Sequence, residues 1–366
     1  MEPPRPDPSA PDLARLVPAL GEDRPAWLPE PARGASRTVL LVLDGLGYDQ
    51  LDANRSVAPH LAAMDGGWIS SVVPSTTSAA LTSIVTGRHP VEHGVLGYRV
   101  REGDDVLNVL QWRMEGGGRA PDPSAYQRYP AFGGRTVPVV TQSSFRNSGF
   151  TRAHLADVDF AGWSTVALLV EQCVRAVRAG APLVYAYYPG VDTVAHEFGL
   201  ADDRYRAEVG FADRLVGWLL DALPVDCALL VTADHGQVEV GPSGWVEVGE
   251  LAPFVALQAG DGRFRYLHAR EGRAADLAGA AREVVGERAW VLTRRELLDG
   301  GWFGPGRPTP AAGARIGDVV LAARDHWAFI DPALRREAGL VGAHGSLTPG
   351  EMRVPLLGAR GRAPAA

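Results

Sequence analysis

The stretch Thr38-Val-Leu-Leu-Val-Leu43, which stops at Asp44-Gly45, decides the fold. Its five consecutive apolar residues describe a strand covered on both faces, because a strand with one wet face would alternate apolar and polar positions. Two further runs share the pattern: Pro182-Leu-Val-Tyr-Ala-Tyr-Tyr188 before Pro189-Gly190, and Cys227-Ala-Leu-Leu-Val-Thr232 before Asp234-His235-Gly236. Helical repeats lie between them, clearest over 202–222, where Val209, Ala212, Leu215, Val216 and Leu219 recur at spacings of three and four. Strands alternating with amphipathic helices predict a three-layer α/β/α domain around a mainly parallel central sheet. Ligands of such sheets bind beyond the carboxyl ends of the strands, where all three polar clusters fall.

Outward from these strands, residues 1–36 are rich in Pro, Ala and Arg and read as an N-terminal arm with one docking helix at Leu13, Leu16 and Val17. Residues 37–366 form the principal domain. Within it, 101–150 is rich in Gly, Pro and Arg and is expected to cover one side of the cleft. Residues 237–343 read as a smaller inserted α+β layer, with strands at 263–268, 290–292 and 318–322 and a helix at 273–287.

The chain has 366 residues, 46% apolar and 22% charged, which is ample material for a large core. Lys+Arg of 36 against Asp+Glu of 43 leaves a net charge of −7, so no nucleic-acid polymer is expected as a partner. There is no lysine, and the arginine-rich, alanine-rich composition reads as the bias of a GC-rich genome. Cys173 and Cys227 sit in apolar stretches, unlike a disulfide framework or thiolate metal site. The opening MEPPRPDPSAPDL lacks the basic start and apolar run of a secretory signal. No stretch approaches the roughly 18 apolar residues of a membrane span. A cytoplasmic protein with no membrane partner is expected.

Asp44, Asp192, His196, Asp234, His235 and His344 are carboxylates and imidazoles at the ends of predicted elements, a donor set suited to zinc or manganese. Asp192 and His196, four apart, share one face if Asp192 opens a helical turn. Each signal alone has a plain structural reading: a turn aspartate, a surface ion pair, a satisfied histidine. A fourth cluster is Ser75-Thr-Thr-Ser78, placed between a short β run and a helix beginning near Thr77. Its hydroxyls gather at a helix N-terminus, where free backbone N–H groups and the helix dipole favour an anion. His89 and His93 read as a turn around Pro90, and Tyr185, Tyr187 and Tyr188 as strand core.

In these motifs the chain resembles the alkaline phosphatase superfamily, and within it the nucleotide pyrophosphatase/phosphodiesterase branch. The resemblance runs from Val39 to about Leu357 through Val42-Leu-Asp44-Gly, Pro74-Ser-Thr-Thr77 with Thr86-Gly87 and Pro90-Val-Glu-His93-Gly94, Asp192-Thr-Val-Ala-His196, Ala233-Asp234-His235-Gly236 and His344-Gly345. It implies two divalent metal ions, zinc or alternatively manganese. One would be held by Asp192, His196 and His344, the other by Asp44, Asp234 and His235 with Thr77, the nucleophile. Two divalent cations would balance three carboxylates and a Thr77 alkoxide, and would acidify the hydroxyl.

The resemblance therefore implies a metal-dependent phosphoric ester hydrolase, a phosphodiesterase or pyrophosphatase, acting on a small-molecule phosphate ester through a phospho-threonine. Ser78 stands where many members carry an aromatic that clamps a nucleobase. A family asparagine that holds the phosphoryl oxygen would fall near Tyr98, so Tyr98 or Arg99 is expected to bind substrate in its place. A sulfatase is disfavoured because residues 77–79 lack a Cys or Ser followed two residues later by Pro. A phosphomonoesterase, phosphonate hydrolase or phosphomutase of the same fold, or a silent metal-binding homologue, are the alternatives.

Overall fold

The computed structural model describes residues 3–364 apart from 5, 6, 8 and 22; part of the expected arm and of the opening segment lies outside the described residues. The central sheet has seven strands: β1 (Arg37–Leu43), β2 (Asp65–Ser70), β3 (Pro138–Gln142), β4 (Asp159–Trp163), β5 (Leu183–Tyr188), β6 (Cys227–Thr232) and β7 (Arg353–Arg360). Their spatial order is β2-β7-β6-β1-β5-β3-β4. The three runs singled out in the sequence, β1, β5 and β6, lie side by side and parallel, with Leu43 opposite Tyr188 and Val42 opposite Thr232. They are buried from Val39 to Leu43, Leu183 to Tyr188 and Cys227 to Thr232, as strands between two layers must be. Only β7 runs antiparallel to its neighbours in this sheet.

The helices that matter here are α1 (Leu13–Ala19), α2 (Thr77–Thr86), α3 (Val166–Arg178), α4 (Gly190–Phe198) and α5 (Asp203–Ala222). Along α3, Leu169, Cys173 and Val177 form a stripe spaced by four that is buried against β5. Along α5 the expected periodic residues Val209, Ala212, Leu215, Val216 and Leu219 are all buried. In the N-terminal segment Leu13, Leu16 and Val17 belong to the main core, and α1 packs on α2. Three apolar side chains on one short helix cannot be left wet, and α2 is the surface they cover.

Within 237–343 an antiparallel sheet orders its strands Val255–Asp261, Phe264–Ala269, Val319–Ala323, Ala289–Thr293. The helix Ala274–Val285 buries Leu277, Ala281 and Val285 in a second core with Val319 and Leu321. A bidentate pair joins this layer to the main sheet's end: Arg263 Nε and Nη2 meet Glu351 Oε1 and Oε2 at 2.7 and 2.8 Å, fully buried. A separate three-stranded antiparallel sheet is formed by Arg99–Glu102, Asp105–Asn108 and Arg113–Met114. Cys173 and Cys227 are buried free thiols.

Candidate metal centre and nucleophile

β1 ends at Leu43, so Asp44 leaves the sheet at its carboxyl edge, tied by Asp44 N–H to Tyr188 O at 2.9 Å. Gly45 turns the chain at φ +73°, and a Cβ there would lie 2.9 Å from Asp192 Cα; no side chain fits between these two loops. Asp192 N–H in turn donates to Asp44 O at 3.0 Å, and α4 then places Asp192 and His196 on one face, Oδ1 to Nε2 3.3 Å apart. β6 delivers Asp234 and His235. Gly236 serves this turn through space and not through a left-handed φ: a Cβ would sit 2.1 Å from Gly350 O.

The seven expected residues converge. His235 Nε2 lies 3.4 Å from Asp44 Oδ1, 3.4 Å from Asp234 Oδ2 and 3.1 Å from Thr77 Oγ1. His344 Nε2 lies 3.8 Å from Asp192 Oδ1, and its ring stacks on His235 at 3.5 Å. Asp192, His196 and His344 form one group able to hold a cation, and Asp44, Asp192 and His235 another. In all three histidines Nδ1 faces a backbone carbonyl: His196 to Gly342 O at 2.7 Å, His344 to Ser75 O at 2.9 Å, His235 to Gly236 O at 3.1 Å. A carbonyl opposite requires N–H at Nδ1, which leaves Nε2 as the ring atom turned to the centre and available to a metal ion.

The carboxylates ask for a cation. Asp44 Oδ1 and Asp234 Oδ2 are buried without a hydrogen-bond partner. Burial first, then the charge of Asp234, pushes the Asp44 carboxyl well above its usual range, and burial raises Asp234 as well. Burial and the neighbouring His235 and His196 hold His344 well below the ordinary imidazole range, so it is neutral. Buried, crowded carboxylates with unpartnered oxygens, set among imidazole nitrogens, fit one or two divalent ions.

Thr77 opens α2, with Thr76 as N-cap in an extended conformation and no side-chain cap bond. The first N–H groups of the helix are thus free for an anion in front of Thr77. Thr77 lines two cavities: one of about 450 Å³ with Tyr98, Asp192, His196 and His344, and one of about 220 Å³ with Leu81, Phe145, Phe150 and Tyr187. Leu110 lines both cavities, joined by Gln111 in the larger and by Thr141, Ser148 and Thr151 in the smaller.

The two expected substrate-binding residues part company. Tyr98 lines the larger cavity, its hydroxyl receiving Asn108 Nδ2 at 3.1 Å. Arg99 does not face it: its buried guanidinium binds Glu115 twice and Asp331 once, each at 2.7 Å. Tyr98 lies in the bend before the strand Arg99–Glu102, and Arg99, the strand's first residue, is held by its carboxylate partners instead.

Sequence reading passed over two residues. Gln237 is buried and donates from Nε2 to Asp192 Oδ1 at 2.7 Å. Tyr187, read as core, donates its hydroxyl to Asp44 Oδ2. His89 and His93 form a helix cap and a bond to Ser83, away from the centre.

A parallel α/β sheet with an Asp/His centre at its carboxyl edge and a threonine at a helix N-terminus defines an alkaline phosphatase-like protein. Residues 38–347 match the family described as type I phosphodiesterase / nucleotide pyrophosphatase. The chain belongs to this family, within the alkaline phosphatase superfamily. Among solved structures, murine ectonucleotide pyrophosphatase / phosphodiesterase 5 is similar at 15% identity and TM-score 0.68, covering 89% of this chain and 88% of that one. An inactive variant of the murine protein in complex with AMP matches at 14% identity and TM-score 0.67, over 88% and 87% of the two chains. Phosphonoacetate hydrolase from Sinorhizobium meliloti 1021, in complex with phosphonoformate, matches at 20% identity and TM-score 0.61, over 91% and 92%. No curated protein matches the chain. No helix among the described residues is long and apolar enough to cross a membrane.

Proposed function

We propose that the protein is a two-metal phosphodiesterase or pyrophosphatase in which Thr77 forms a phospho-threonine. The observation that carries this reading is Thr77 Oγ1, 3.1 Å from His235 Nε2, at the uncapped start of α2 beside the unpartnered oxygens of Asp44 and Asp234. Asp44, Asp234, His235 and Thr77 would hold one cation and Asp192, His196 and His344 the other, zinc or manganese. Bound there, such ions supply positive charge that acidifies a hydroxyl and draws in phosphoryl oxygens.

The chain's own residues do the rest. The helix N-terminus holds the phosphoryl group in front of Oγ1, with Tyr98 in the cavity wall. Thr77 Oγ1 bonds to phosphorus as the ester P–O bond breaks and the leaving oxygen takes the electron pair. Water then hydrolyses the Thr77–phosphorus ester, returning the hydroxyl. Cavities on both sides of Thr77 favour an ester with two substituents over a monoester. The buried free thiols Cys173 and Cys227 support a reducing, cytoplasmic setting.

The test compares a chromogenic aryl diester with the matching monoester after reconstitution with zinc, then manganese, then with chelator. Diester turnover that chelator removes is expected, and Thr77→Ala should abolish it while retaining bound metal. Full turnover in Thr77→Ala would place the nucleophile elsewhere.

A further inference from the structure

The cavity of about 450 Å³ that Thr77 shares with Asp192, His196 and His344 has an acidic wall that the reaction outlined above does not use. Asp261, at the end of the strand Val255–Asp261, lines this cavity with 8% of its surface exposed. Its Oδ2 is buried without a hydrogen-bond partner. The arginines in its field are engaged elsewhere. Arg265 Nη2 meets Glu337 at 2.6 Å, and Arg99 meets Glu115 and Asp331. Two guanidiniums thus face four carboxylates once Asp261 is counted, and the surplus is negative.

A buried carboxyl with an unpaired oxygen is costly, and a negative one beside a phosphate-binding centre also repels an anionic ester. Burial, then the charge of Glu337, pushes the Asp261 carboxyl up to about 7. A cation brought in by the ligand relieves the repulsion and supplies the missing partner in one step. Tyr98 and Trp245 line the same cavity with rings, surfaces that attract ammonium groups. Arg336 also lines it but is exposed, where water and salt screen its charge.

We infer that the Asp261 wall receives a primary or quaternary ammonium group carried by one substituent of the phosphate ester. The inference rests on the phosphoesterase reading of the Thr77 centre.

Titration calorimetry on the metal-loaded full chain tests it without turnover. The probes are aminoalkylphosphonates of two to four methylenes, each paired with the alkylphosphonate that ends in methyl where the other has ammonium. Their carbon–phosphorus bond presents no ester for cleavage. At one chain length at least, the ammonium compound should bind about tenfold more tightly, as a charge-assisted contact to a carboxylate implies. Asp261→Asn should bring that ratio to near one while alkylphosphonate affinity is kept or raised, since the repelling charge is gone, which also reports that the variant is folded. Asp261→Ser serves if the asparagine variant does not fold. Equal affinities in the wild type at every length, or a preference that survives in the variant, overturns the inference. Ester hydrolysis without ammonium preference sinks this inference alone; ammonium preference without hydrolysis of any ester sinks the functional reading instead.

Discussion

Gln237 Nε2 donates to Asp192 Oδ1 at 2.7 Å, so the residue three positions after Asp234 aims the carboxylate that belongs to both candidate cation groups. The amide lies between two glycines whose missing side chains make its space. A Cβ on Gly45 would sit 2.8 Å from Gln237 Nε2, and one on Gly342 2.8 Å from its Oε1. Gln237→Leu keeps the volume and removes the donor. Cation affinity should fall by about ten- to a hundred-fold, as it does when such orienting partners are lost. Competition against a fluorescent chelator reads this directly. An unchanged affinity would mean that Asp192 holds its place without the amide.

The raised carboxyls of Asp44 and Asp234 set the sign of a pH effect on the metal-free protein. Both fold with pKa values above the unfolded value of 3.8, so the folded state binds more protons above that pH. Their contribution to stability is present at low pH and is lost as pH rises from about 4 toward the folded values. In chelator, Asp234→Asn should therefore melt higher than wild type at pH 8, and the gap should close toward pH 4. Added zinc should stabilise wild type more than the variant, which keeps only the Asp192, His196 and His344 group. Thermal melts across that range check both, and a gap that widens on acidification contradicts the assigned cause.

Much of the fold was legible because its deciding strands are buried on both faces, a pattern that apolar runs such as Val39 to Leu43 display without reference to anything distant. Asp44, Asp192, His196, Asp234, His235 and His344 could be singled out as candidates for a related reason: each sits where a predicted strand or helix ends, so topology sends them to one edge. Thr77 stood out from its hydroxyl cluster only through the family resemblance. What escaped depends on contacts across the chain. Gln237 looks like any loop glutamine until Asp192 is beside it, and Tyr187 is one aromatic among several in β5. Arg99 misled because its partner Asp331 is 232 positions away. Leu13, Leu16 and Val17 signalled a helix, but not that α2 waits to cover it.

The pair Arg263–Glu351 does more than join two layers, because Glu351 Oε1 also accepts Ser346 N–H at 2.9 Å, two residues after His344. Arg263→Met leaves Glu351 charged, buried and half-satisfied, which costs about 3–5 kcal/mol for such a pair. Double replacement with Glu351→Gln should recover part of that, since the stranded charge is gone. Denaturant titration gives the stability terms. The single variant should also weaken cation binding by moving the loop that carries His344; stability loss without any change in binding would show that loop to be held independently.

The smaller cavity beside Thr77 predicts which second substituent a diester carries. Leu81, Phe145 and Phe150 give it a mainly apolar wall, with the Tyr187 ring at its side. Burying a phenyl group in place of a methyl contributes about 2 kcal/mol at usual transfer values, or roughly a thirty-fold gain in kcat/KM. Phenyl p-nitrophenyl phosphate should therefore exceed methyl p-nitrophenyl phosphate by about that factor. Phe150→Ala should cut the preference by loosening the wall and letting water in, with less effect on the methyl ester. Release of nitrophenolate from the two esters measures it, and a methyl ester turned over as well as the phenyl one would show that this cavity stays outside the substrate's path.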